Sequence, residues 1–132
     1  MSADVDLKRR IGMVLVVALS FSAAVAQTQR EMNETAANSL NVVSLELSKA
    51  IESYRQRLSE GQLKLFDRSQ RAWEEYRRSV CIFESSGASG GSAQPLIQNT
   101  CLASLTRERL RYIQRLSTCA EGDLSCPAWK KE

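Results

Sequence analysis

Histidine is absent from this 132-residue chain, and proline occurs only twice. Without histidine there is no Ser–His or Cys–His catalytic arrangement and no histidine-containing zinc site. Serines are plentiful, but none stands in a strand-to-helix nucleophile elbow. Glu74 and Glu75 are adjacent, so on a helix they diverge and cannot act as a catalytic pair. Charge of one sign is also scarce: a net charge of +3 gives no strong field for steering onto nucleic acid or anionic lipid. Long apolar runs are missing too. The longest, residues 11–26, is diluted by Ser20 and Ser22 and falls short of the about 20 residues that a membrane-spanning helix needs. The chain therefore reads as non-enzymatic, with no cofactor, no metal and no nucleic-acid partner expected.

What that short apolar run does fit is a secretory signal. Lys8, Arg9 and Arg10 form a basic n-region, although Asp4 and Asp6 dilute it. Residues 11–18 give the apolar segment, and Ala24-Val25-Ala26 is a small-x-small cleavage site before Gln27. No cysteine follows the apolar segment to take a lipid anchor. The expected organisation is a signal peptide over 1–26, a helical domain over 27–118 and an irregular tail over 119–132. The expected location is the bacterial periplasm or the exterior, with no membrane attachment after cleavage. The alternative is retention of the apolar segment as an anchor.

Beyond the apolar segment the chain reads as helices. Met32, Ala36, Leu40, Val43, Leu47, Ile51, Tyr54 and Leu58 recur at steps of three and four, one face of a long amphipathic helix. Neither proline nor glycine interrupts it before Gly61. Ser59 stands three residues ahead of Gln62, a capping box that starts a second helix. Leu63, Phe66, Gln70, Trp73, Tyr76 and Val80 carry the stripe of that helix, which ends around Phe83. So short a link makes the two helices antiparallel neighbours. Residues 85–92, rich in glycine and serine, form a loop. Ser92 or a neighbour can cap a third helix, with Pro95 in its first turn. Ile97, Cys101, Leu105, Tyr112 and Leu116 face inward there, with Leu102, Leu110 and Ile113 widening the stripe. Thr106 could cap a restart that splits this helix in two. There are no strand-like alternating runs. The predicted fold is all-α, an antiparallel helical hairpin with a packed third helix, whole or broken.

Four cysteines, all in the part expected to be exported, read as disulfides in an oxidising compartment. Zinc is the competing reading, but Cys81, Cys101, Cys119 and Cys126 lack C-x2-C spacing. Of three possible connectivities, the helical layout favours Cys81 with Cys101, at the two flanks of the loop. Cys119 and Cys126 would then close a small loop in the tail.

One run of landmarks is specific enough to suggest a family. It reads Gln70-x-x-Trp73-x-x-Tyr76-Arg77-x3-Cys81-x-Phe83-Glu84, then Gly90-Gly91-Ser92, then Cys101-x3-Leu105-Thr106-x2-Arg109. Together with Gln29-x-Glu31-Met32-Asn33 and Tyr54, it resembles the LprI-like lysozyme-inhibitor domain over residues 29 to about 116. The resemblance implies an exported, cysteine-bonded helical domain, in some members an inhibitor of host lysozyme. Members commonly carry a further N-terminal cysteine pair. This chain reads Met32-Asn33-Glu34-Thr35-Ala36 in that neighbourhood and has no cysteine before Cys81. Both partners are missing together, which leaves no orphan thiol, and the Cys119/Cys126 pair stands as a staple at the other end.

Within the run, Phe66, Trp73 and Tyr76 at helical spacing read first as core. Arg77 and Arg109 read as stems lying on that core, the head of Arg77 paired to a carboxylate such as Glu84 or Glu108. Gln70 and Thr106 belong to the same structural set. The place for function is the loop, where Glu84, Ser85, Ser86, Ser89, Gly90, Gly91 and Ser92 are candidate partner contacts. A loop tied at both flanks presents a preorganised element to a cleft; as a solvated connector it would do nothing. The favoured reading is a lysozyme-inhibitor-like binding protein that occludes a muramidase cleft sterically. The alternative is a non-catalytic structural or interaction module of the cell envelope. Vertebrate-type lysozymes are strongly cationic, so a chain of net charge +3 gains no long-range attraction to them, and inhibition would rest on local contacts.

Overall fold

A computed structural model describes residues 2–120 and 122–128, with side chains from residue 28 onward. Three α-helices follow one another: α1 (Ser2–Arg55), α2 (Glu60–Ser85) and α3 (Gln94–Ser117), with a 3₁₀ turn at Ser86–Ala88 after α2. No strand occurs among the described residues. The chain divides into two units, residues 1–32 and 33–132. The first is the N-terminal part of α1. The side chains on which the signal-peptide expectation rests lie outside the described residues. Among those described, no helix is long and apolar enough to cross a membrane.

The second unit is a three-helix body. Ala36, Val43, Leu47 and Tyr54 of α1 are buried at the expected spacing. The expected capping box is present in full at the start of α2: Gln62 N–H donates to Ser59 Oγ, and Ser59 N–H donates to Gln62 Oε1 at 2.9 Å. The reversal makes α1 and α2 antiparallel. Ser48, Ile51 and Arg55 line one side of a groove whose other side is Asp67, Gln70, Arg71 and Glu74, and Arg55 is ion-paired to Asp67. Arg57, in the turn between them, donates to the Ser117 carbonyl at 2.6 Å and so satisfies an orphan acceptor at the end of α3.

α2 and α3 make the closest approach. Their interface is built from small side chains, with Cys81 and Ser85 of α2 and Cys101 and Thr106 of α3 all buried. The Cys81–Cys101 disulfide closes it with Cα atoms 5.6 Å apart, as expected from the sequence. Toward the other end the side chains are large, and Leu47, Tyr54, Phe66 and Ile113 form the central core. Tyr54 and Phe66 meet edge to face with ring centroids 5.4 Å apart.

α3 is one helix, not two. Thr106 does not cap a restart; its hydroxyl donates to the Leu102 carbonyl one turn back, at 2.6 Å. Nor does Ser92 cap α3. Ala93 occupies that position without a side-chain bond, and Pro95 sits in the first turn. The tail is irregular, tied by Cys119–Cys126 (Cα atoms 5.7 Å apart). It is anchored where Gln62 donates to the Pro127 carbonyl.

Candidate partner-binding loop and its platform

The segment between the two cysteines is built as a framework rather than a slack connector. Ser85 is inside it, 0 % exposed, with its hydroxyl donating to the Cys81 carbonyl at 2.8 Å. Of the expected contact residues, Ser85 is therefore spent on closing α2, while Glu84, Ser86, Ser89, Gly90, Gly91 and Ser92 are exposed. Ser86 caps the Phe83 carbonyl with its hydroxyl at 2.7 Å. Gly90 has φ +76°, a conformation that favours glycine. Its N–H donates to Gln94 Oε1 at 3.0 Å, across the base of the loop. Gly91 is there for space: a Cβ would stand 3.2 Å from the Ala88 carbonyl. The far side is tied to α1, since Asn33 Nδ2 donates to the Ser92 carbonyl at 3.0 Å. The sequence reading puts Asn33 in the N-terminal part of the family motif and Gln94 at the end of the loop, but assigns neither a bond to make; only the fold shows them tying the loop down.

The letters Gly87-Ala88-Ser89-Gly90-Gly91 spell G-x-S-x-G, but here they run from a 3₁₀ turn toward a helix. That is not the strand-to-helix turn on which a nucleophile elbow depends.

Beneath the loop lies the arginine and tryptophan platform. Arg77 stacks over the Trp73 ring at 4.7 Å and donates to Thr106 Oγ1 at 2.8 Å. Arg109 stands 5.6 Å from the same ring and 4.9 Å from that of Tyr112. Its guanidinium donates to Gln70 Oε1, and also to Ser69 Oγ at 3.1 Å. Burial lowers both arginine pKa values, and for Arg77 the neighbouring Glu74 opposes that shift. The expected carboxylate partners, Glu84 or Glu108, are not used. A hydroxyl, an amide and aromatic faces hold these heads, because the packed α2–α3 seam offers those groups and keeps the glutamates on the outside. Gln70, Trp73, Arg77, Thr106 and Arg109 are thus brought together as one cluster spanning both helices.

Tyr76 is not part of it. The ring is 57 % exposed, and Phe83 at 78 % and Ile82 are exposed as well. Met32, Ile97 and Tyr112, read as inward-facing, are also exposed to a substantial degree. Tyr76 and Phe83 lie seven residues apart and so share a face of α2, together with exposed Leu65 and Ala72. That face is turned away from Gln70 and Cys81. The element beside the loop is therefore apolar and solvent-facing, a signal that the core reading of Tyr76 concealed.

A curated protein of Rhizobium meliloti (strain 1021), itself uncharacterized, is 39% identical over 62 residues, covering 47% of this chain. The chain covers 45% of that protein's length, less than half of it. No solved structure matches. The family model "Lysozyme inhibitor LprI" matches residues 22–113, more than half of the chain and the whole of the loop and its platform. The chain belongs to the lysozyme inhibitor LprI family.

Proposed function

We propose that this protein is an exported inhibitor of a lysozyme-like muramidase that works by occlusion. The loop between Cys81 and Cys101, with the adjoining end of α2, seats against the glycan cleft and excludes substrate without chemistry. The carrying observation is preorganisation. A disulfide, the Asn33 bond to Ser92 and the Gly90 bond to Gln94 hold the loop before any partner arrives, so little ordering entropy is lost on binding. Exposed Phe83 supplies apolar contact area, and Glu84, Ser86, Ser89 and Ser92 supply hydrogen-bonding groups around it. Family membership supports the partner class, and the paired cysteines suit the oxidising location, periplasmic or secreted, that the signal-like N-terminus suggests.

The test is a lysozyme turnover assay with the purified oxidised protein against several lysozyme classes. Micromolar protein should slow at least one of them, and Phe83→Asp should relieve the inhibition while leaving helicity unchanged. With a net charge of +3 against a cationic enzyme, inhibition should hold or strengthen as salt is raised. Unchanged activity across all classes ends this reading and leaves the envelope interaction module in its place.

A further inference from the structure

A second feature lies away from the loop, where the turn between α1 and α2 meets the end of α3. Tyr54, Leu58, Leu65, Phe66, Tyr112 and Leu116 line an apolar pocket of about 190 Å³, joined by Gln62, Ser69 and Pro127. An apolar cavity of about 150 Å³ takes benzene, and drug-sized pockets begin at roughly 300 Å³. The space here suits one aromatic ring with a small substituent.

The walls set the polarity of what can enter. None of the lining side chains is charged. Gln62 is spent at both ends, accepting from Ser59 N–H and donating to the Pro127 carbonyl, and Ser69 Oγ accepts from Arg109. Tyr112 is partly exposed, with Arg109 and Arg115 stacked on its ring. Tyr54 differs. It is 1 % exposed, and its hydroxyl has no hydrogen-bond partner among the described residues. Its phenol feels Tyr112 and Arg57 electrostatically, so the hydroxyl end lies toward the Tyr112 wall. Buried hydroxyls without partners are rare and call for an explanation.

We propose that this pocket is a binding site for a small neutral phenol, whose ring fills the apolar space and whose hydroxyl pairs with that of Tyr54. Volume admits one ring. A charged ligand would lose its hydration against uncharged walls, and a sugar would strand most of its hydroxyls beside a single unanswered group. Phe66 and Tyr112 offer the edges and faces that an aromatic ring prefers, and two phenol hydroxyls can each donate and accept. The site is therefore not a glycan site, and it stands whether or not the loop inhibits a lysozyme. The same chemistry reaches the pocket as a free phenol or as a tyrosine side chain of a partner protein.

The chain's three tyrosines report on binding. p-Cresol titrated into the full oxidised chain should shift the Tyr54 and Tyr112 ring resonances saturably and leave Tyr76, on the outer face of α2, in place. No saturable shift, or equal shifts at all three rings, would overturn the proposal. Tyr54→Phe keeps the ring and removes only the hydroxyl. It should bind p-cresol several-fold more weakly than the native chain while binding toluene as before; an equal change for both probes, or none for either, would also overturn the proposal. N-acetyltyrosinamide carries the cresol body on a peptide backbone. Binding of both it and p-cresol supports the proposal with a partner's tyrosine as the source, and binding of p-cresol alone supports it with a free molecule.

Discussion

Arg109 binds a buried amide instead of a carboxylate, and that choice has an energetic signature. Its head satisfies Gln70, which has no other side-chain bond on the buried α2–α3 seam. Arg109→Met should therefore cost about 1–3 kcal/mol, mostly for the stranded Gln70 amide. Adding Gln70→Leu should recover part of that loss, so the two substitutions are non-additive in a double-mutant cycle read by urea unfolding. Tyr54 makes a prediction about pH. Burial raises its phenol pKa first, with Tyr112 adding to the shift and Arg57 opposing it. The folded state therefore disfavours the phenolate, while the unfolded chain ionises near pH 10. The contribution is fully present below about pH 10 and is lost as pH rises through the folded value. Stability followed by circular dichroism should fall beyond pH 10, and less steeply in Tyr54→Phe. At this scale the sequence was a partial guide. It marked Gln70, Trp73, Arg77, Thr106 and Arg109 as one structural set, but could not say that a hydroxyl and an amide would stand where carboxylates were expected. Partner choice depends on which groups the fold places within 3 Å, and residues 39 positions apart carry no spacing signal.

α2 explains why elements were easier to read than their orientation. Uncharged residues along it form two sets at helical spacing. One contains Phe66, Gln70, Trp73 and Cys81 and faces the core; the other contains Leu65, Ala72, Tyr76 and Phe83 and faces water. Tyr76 is three residues from Trp73 and so fits the first set by periodicity alone, yet the position of α3 decides against it. The helix starts were clearer, because a capping box is a local signal: Ser59 and Gln62 need nothing distant to act. Thr106 was ambiguous for a related reason. A threonine hydroxyl serves equally as a cap or as a back-bond to the preceding turn, and the unbroken packing of α3 selects the second. The α2–α3 pair is also where one covalent bond should matter most. Cys81 and Cys101 are 20 residues apart, and in the chain-entropy model closing such a loop stabilises by about 3 kcal/mol. Cys81→Ala with Cys101→Ala should cost on that order in thermal or urea unfolding. The loop hydrogen bonds should loosen with it, seen as faster amide exchange at Gly90.

For the molecule as a whole, the antiparallel three-helix body was legible from periodicity, and the loop was legible from composition. The ties that turn that loop into a rigid element were not, since Asn33 and Ser92 are 59 residues apart. The crosslink at its base has one more consequence, for life among digestive enzymes. Residues 82–100 contain no lysine and no arginine, so a trypsin-like protease finds no bond to cut there. A less selective protease such as subtilisin should nick the exposed stretch around Ser89. The two fragments should then stay joined through Cys81 and Cys101, running as one band on a non-reducing gel and as two after thiol treatment. Such a nicked chain keeps α2 and α3 together, so damage in this exposed loop leaves the two helices joined.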